Sequence, residues 1–159
     1  MPETETIVPI DIAKQLRSGL ATALSGVTQT DPDGDVSSVT LQVDGYQDTT
    51  GARVVSLTLP CVAVRVHEGY GHDFAQGTKL REYPVTIVAA THYSADPWQT
   101  ALYTIGQKVG DYLLGPPTLT LSSATFRAVH VPTPPERGET EGRVQLMTWN
   151  VIVHVIRTS

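Results

Sequence analysis

Residues 97 to 114 hold the pattern that most constrains the fold. Trp98, Ala101, Leu102, Ile105, Val109, Tyr112 and Leu113 recur at helical spacing. Asp96 suits the N-cap, Pro97 suits the first helical position, and Gly115-Pro116-Pro117 stops the run. Strand-like stretches enclose this helix on both sides. A single amphipathic helix among alternating strands must bury its stripe against a sheet face, which predicts an α+β fold. The sheet is expected to be mixed and mainly antiparallel.

The strands come from period-two patterns. Val39, Leu41 and Val43 alternate with polar residues, and Val55, Leu57 and Leu59 do the same after a turn, which predicts a hairpin. Val62, Val64 and Val66 continue past Pro60 with the phase moved by one, so Pro60 is expected at a bend or bulge. Residues 81–93 are apolar on both faces in the middle, the mark of a covered central strand, with Pro84 expected at its beginning. Residues 118–131 read as a strand with a bulge near Ser122-Ser123. In the last strand Met147, Trp149, Val151, Val153 and Val155 share one face, and the other face is mixed.

A first helix is expected over residues 11–25. Ile12, Ala13, Leu16, Leu20 and Leu24 lie on one stripe, Asp11 can cap its start, and Gly26 follows its end. Gly19 weakens such a helix by about 1 kcal/mol relative to Ala. Residues 28–35 (TQTDPDGD) read as a turn-rich linker, with Asp31–Asp35 a tight turn between helix and strand. The chain of 159 residues is expected to form one domain over 1–159, with residues 1–8 flexible.

Composition narrows the function. Hydrophobic residues make up 40% and charged residues 17%, enough apolar material for a core. The net charge is −5 and the basic residues are scattered, which argues against a nucleic-acid binder. Cys61 is the only cysteine, so an internal disulfide is impossible, and its apolar surroundings predict a buried, inert thiol. The acidic start MPETETIV is no secretory signal, and no run reaches the roughly 18 to 20 apolar residues of a membrane span.

Candidate chemistry is sparse. His67-Glu68-Gly69-Tyr70-Gly71-His72 resembles a zinc-hydrolase signature, but the two histidines are five apart and two glycines break any helix. The Asp31–Asp35 run fails the calcium-loop pattern at Val36 and Gln42. No Gly-x-Ser-x-Gly elbow occurs. The expectation is a protein that is not an enzyme, with no catalytic, cofactor-binding or metal-binding residue. Two loops remain as candidate assembly surfaces. Loop 67–80 carries Tyr70 and Phe74. Loop 132–143 (PTPPERGETEGR) carries Glu136, Arg137, Glu139, Glu141 and Arg143, and is either a hairpin tip or a projecting arm.

The order of elements resembles the tail terminator (tail completion) proteins of long-tailed bacteriophages. The resemblance rests on the helix Asp11 to Ser25, the strands Pro60 to Val66 and Tyr83 to Ala89, the helix opening Asp96-Pro97-Trp98, and the final strand Thr148 to Arg157. It implies a structural virion protein of the tail or neck, assembled in the host cytoplasm. Such a protein forms a homohexameric ring that caps the tail tube protein, stops growth, and offers a docking surface to the head–tail connector protein. DNA would pass through the lumen without specific binding, and no membrane is involved. Glu136, Glu139 and Glu141 would rim that channel. A head-closure or connector-adaptor neck protein is the nearest alternative. A small metal-dependent hydrolase using the His67–His72 loop is the rival from another class.

Overall fold

The computed structural model describes residues 2–43, 58–67, 70–73, 78–93, 99–115, 117–122, 124–139 and 144–158. In chain order the elements are α1 (Pro2–Ala23), β1 (Thr28–Thr30), β2 (Val36–Ser38), β3 (Thr40–Val43), β4 (Cys61–Val66), β5 (Tyr70–Asp73), β6 (Thr78–Thr91), α2 (Thr100–Leu114), β7 (Thr125–His130), β8 (Glu136–Glu139) and β9 (Gln145–Thr158). This is an α+β fold. The main sheet has seven strands among the described residues, with the path β3-β4-β6-β9-β7; β5 also pairs with β6, and β8 with β9. Every pairing is antiparallel except β3 with β4.

β6 and β9 form the spine. They pair from Thr78↔Thr158 to Thr91↔Gln145 without a register break. On one face Tyr83, Val85, Ile87 and Ala89 lie opposite Val153, Val151, Trp149 and Met147, and all are buried. Val62 and Val64 of β4 extend that face. The two helices cover it with Val8, Ile12, Leu16 and Leu20 from α1, followed by Leu24 in the turn after it, and Leu102, Ile105, Val109 and Leu113 from α2. Burying one such aliphatic side chain contributes roughly 1.5–3 kcal/mol, so this layer carries most of the fold's stability.

Two glycines set how closely the layers approach. A Cβ added at Gly106 would stand 2.6 Å from Met147 Sδ, so α2 lies directly on β9 there. A Cβ at Gly19 would overlap the Tyr112 ring, so the bare backbone of α1 is what admits Tyr112 of α2. The helix weakness expected at Gly19 is thus the condition for packing the two helices.

Several expected boundaries change. α1 begins at Pro2, takes in Pro9 and the residues placed in a flexible lead-in, and ends at Ala23. Asp11 therefore caps nothing. Its Oδ2 accepts hydrogen bonds from the Ser122 N–H at 3.0 Å and the Ser122 hydroxyl at 2.5 Å, and Gln15 Oε1 accepts from the Thr120 N–H at 3.3 Å. α1 so holds down the segment that follows α2. These bonds from Ser122 lower the Asp11 pKa below its ordinary value.

α2 starts at Thr100, with Gln99 at its N-cap and no side-chain cap bond; the expected start at Asp96-Pro97 lies outside the described residues. Its end at Leu114 matches the Gly115 stop, where the Gly115 N–H donates to the Asp111 carbonyl at 2.9 Å.

β3 runs parallel to β4, from Thr40↔Cys61 to Val43↔Val64, and its described partner is not an antiparallel strand at 54–59. Thr58 and Leu59 are not in a strand, and residues 54–57 lie outside the described residues. Alternation identifies a strand but says nothing of its neighbour's direction. The bend at Pro60 is present at residues 59–60, and β4 begins at the next residue. Pro84 lies inside β6 and not at its beginning. Its neighbour there changes from β5, whose first residue Tyr70 lies opposite Glu82, to β4, whose last residue Val66 lies opposite Val85. The missing N–H falls in the break between two ladders, and the Pro84 carbonyl accepts from the His67 N–H at 2.8 Å.

The bulge in β7 lies between Phe126 and Ala128 and not at Ser122-Ser123; residues 118–122 are not strand, and Ser123 lies outside the described residues. The tight turn at 31–35 is present, but it joins β1 to β2 and not a helix to a strand, since residues 28–30 of the expected linker are β1. Asp31 Oδ1 accepts from the N–H groups of Asp33 and Asp35, both at 2.9 Å, and Gly34 supplies the positive φ of 93°.

Candidate assembly interface

The sequence marks two loops as candidates, and each contains strand: 70–73 and 78–80 in the first, and 136–139 in the second. Within 67–80, β5 pairs with β6 from Tyr70↔Glu82 to Asp73↔Lys79. Tyr70 is thus a strand residue, and Phe74 lies outside the described residues. Within 132–143, β8 pairs with β9 from Glu136↔Thr148 to Glu139↔Gln145. Glu136, Arg137 and Glu139 therefore sit on a sheet strand and not on a projecting arm. Glu141 and Arg143 lie outside the described residues. The two candidate groups are not brought together, because β5 lies on one side of β6 and β8 lies beyond β9. The ERGE run carries no apolar alternation. Backbone pairing alone makes it a strand, and that leaves no mark in the sequence.

Arg137 has a defined anchorage. Its guanidinium lies 5.4 Å from the centroid of the Tyr103 ring and donates to Gln99 Oε1. Gln99 has φ 50°, the only positive φ at a non-glycine among the described residues. The Gln99 carbonyl also accepts from the Tyr103 N–H at 2.9 Å. β8 is thereby pinned to the first turn of α2. The sequence marks neither Tyr103 nor Gln99 for this role, since both fall off the apolar stripe.

The outer edge of β9 is shared. β7 pairs with Ile152 to Ile156 and β8 with Gln145 to Thr148, so Trp149, Asn150 and Val151 fall in the register of neither. The connecting residues 131–135 cross toward α2 instead of following the edge. With Gly106, Gly110, Leu113, Leu114 and Trp149 they enclose a mostly apolar groove of about 460 Å³. Leu114 is 73% exposed at its rim. β7 alternates half-buried Phe126 and Val129 with exposed neighbours, and all four residues of β8 are exposed. Both strands present an edge that no other described strand pairs.

The sheet face turned away from the helices is mixed, as its sequence suggested. His154 Nδ1 lies 3.3 Å from Glu82 Oε1, and the His130 ring centroid is 6.4 Å from that of His154. Farther along, His67 Nε2 is 2.7 Å from Thr86 Oγ1. His67 follows β4 and His72 lies on β5, so strand geometry, not a helix turn, separates them. Among the described residues no group of three or more His, Cys, Asp or Glu side chains is placed to hold a metal ion. Cys61 is fully buried, and burial pushes its thiol pKa up to about 12. No described helix is long and apolar enough to cross a membrane.

No protein-family model and no curated protein matches the sequence. Among solved structures, the chain is similar in fold to a chain of the "Virion of native gene transfer agent (GTA) particle", with a TM-score of 0.54 and 11% sequence identity. The match covers 94% of this chain and 97% of that one, so the shared fold extends over both chains nearly end to end.

Proposed function

We propose that this chain is a structural subunit of a phage-like virion and that it does no catalysis. The observation that carries this reading is the fold shared, nearly end to end, with a chain of a gene transfer agent virion. The finer reading is a tail terminator. Copies close into a ring on the tip of the assembled tail tube, hide its growing edge, and present the opposite rim to the head–tail connector. The open edges of β7 and β8 support it, because a subunit with unpaired strand edges is built to meet neighbours. The chemistry is heterologous contact closed by symmetry. The ring is taken as a homohexamer, with DNA crossing its lumen.

Tyr70, Glu136, Arg137 and Glu139, with Phe74, Glu141 and Arg143, are the proposed contact residues. The glutamates line the lumen and repel passing DNA. Incubating the purified, labelled protein with purified tail tubes tests the reading by electron microscopy. Label confined to one tube end, with elongation halted, supports a terminator. Label on portal-bearing heads and none on tubes replaces it with a head-closure role. Tail joining that survives Glu136→Ala, Glu139→Ala and Glu141→Ala together removes the lumen role of these residues.

A further inference from the structure

The segment from Val131 to Glu139 differs from the rest of the sheet in how it is held. All four residues of β8 are exposed, so none of its side chains is sunk into the core. Its hold on the molecule is the short ladder to Gln145–Thr148 and the Arg137 side chain, which lies on Tyr103 and donates to Gln99. Elements with few buried apolar contacts open at far lower free energy than the core. The preceding residues, Val131 to Pro135, form one wall of the apolar groove whose other walls are α2 and Trp149.

We infer that residues 132–139 are a strap that hinges after Val131, which is half-buried against the core, and opens over this groove, with Arg137 as its latch. A planar guanidinium suits the task, because one group both stacks on an exposed ring and donates a directed hydrogen bond. Closed, the strap fills the outer edge of β9 from Gln145 to Thr148. Open, it frees the edge from Gln145 to Thr148 and uncovers the groove beside Trp149 in one movement. The strap is a property of the subunit itself and does not depend on the ring reading.

Hydrogen exchange on the full chain tests it, comparing the wild type with Arg137→Ala and, separately, Tyr103→Ala. Tyr103 is exposed and off the core face of α2, so its loss leaves the helix packing intact. Each substitution is expected to raise exchange about tenfold at the amides of β8 and at Leu146 and Thr148. Exchange in β7 and its half of β9 is expected to stay unchanged. The inference is overturned if neither substitution speeds exchange in β8, or if β7 speeds up equally.

Discussion

The helix-covered face of β4, β6 and β9 and the outer edge formed by β7 and β8 are made of the same hydrogen-bonded ladders. They differ in what lies above them. On the face, Tyr83, Val85, Ile87, Trp149, Val151 and Val153 are buried under two helices. On the edge, β8 has no buried side chain, and β7 offers only half-buried Phe126 and Val129. Backbone pairing alone contributes little net stability, because water competes for the same groups. The face therefore holds the fold, while the edge is free to be shaped by what it meets.

Trp149 gives the largest contrast. Trp149→Ala is expected to cost about 3–5 kcal/mol in chemical denaturation, as large-to-small changes in packed cores do. Glu136→Ala, on β8, is expected to stay within about 0.5 kcal/mol of the wild type. Equal losses would break the distinction between face and edge. Next comes Gly106→Leu, which forces α2 off Met147 and is expected to cost about 1–3 kcal/mol by overpacking. No change in stability there would mean that α2 sits farther from β9 than 2.6 Å from Cβ to Sδ implies.

Asp11 is a smaller case. Its folded pKa is lowered by its bonds from Ser122, so the ionised form is favoured by folding. That stabilisation is present above the unfolded value of about 3.9 and is lost as pH falls through the folded value. Asp11→Asn is expected to lower stability by about 0.5–1 kcal/mol at neutral pH, the site being largely exposed to solvent. The gap between the two proteins should close on acidification, and a gap that widened would contradict the assignment. Smallest in stability terms is Cys61. Its thiol should resist alkylation at pH 8 until the chain is unfolded, and rapid labelling of the native protein would contradict its burial.

The same contrast explains what the sequence disclosed. β9 was legible because Met147, Trp149, Val151, Val153 and Val155 alternate without interruption, and the middle of β6 because a covered strand is apolar on both faces. The end of α2 was legible at Gly115. Partner direction was not, since nothing in Val39–Val43 tells a parallel neighbour from an antiparallel one. β5 and β8 were hidden because glycine, charge and proline read as loop while only main-chain groups make the pairing. Gly19 was seen as a cost to its own helix, and its use became visible only with Tyr112 against it. Only loop composition marks the candidate contact residues in the sequence. Their positions along the sheet, and the link from Arg137 to Tyr103 and Gln99, depend on elements distant in the chain.

For the proposed role of ending a growing virion tail, the decisive experiment is electron microscopy of lysates from a virus deleted for the gene of this subunit. Overlong tubes unattached to filled heads are expected, because an uncapped end keeps adding subunits. Tails of normal length beside leaking, unjoined heads would contradict the terminator role, and normal infectious particles would contradict any structural role in the virion.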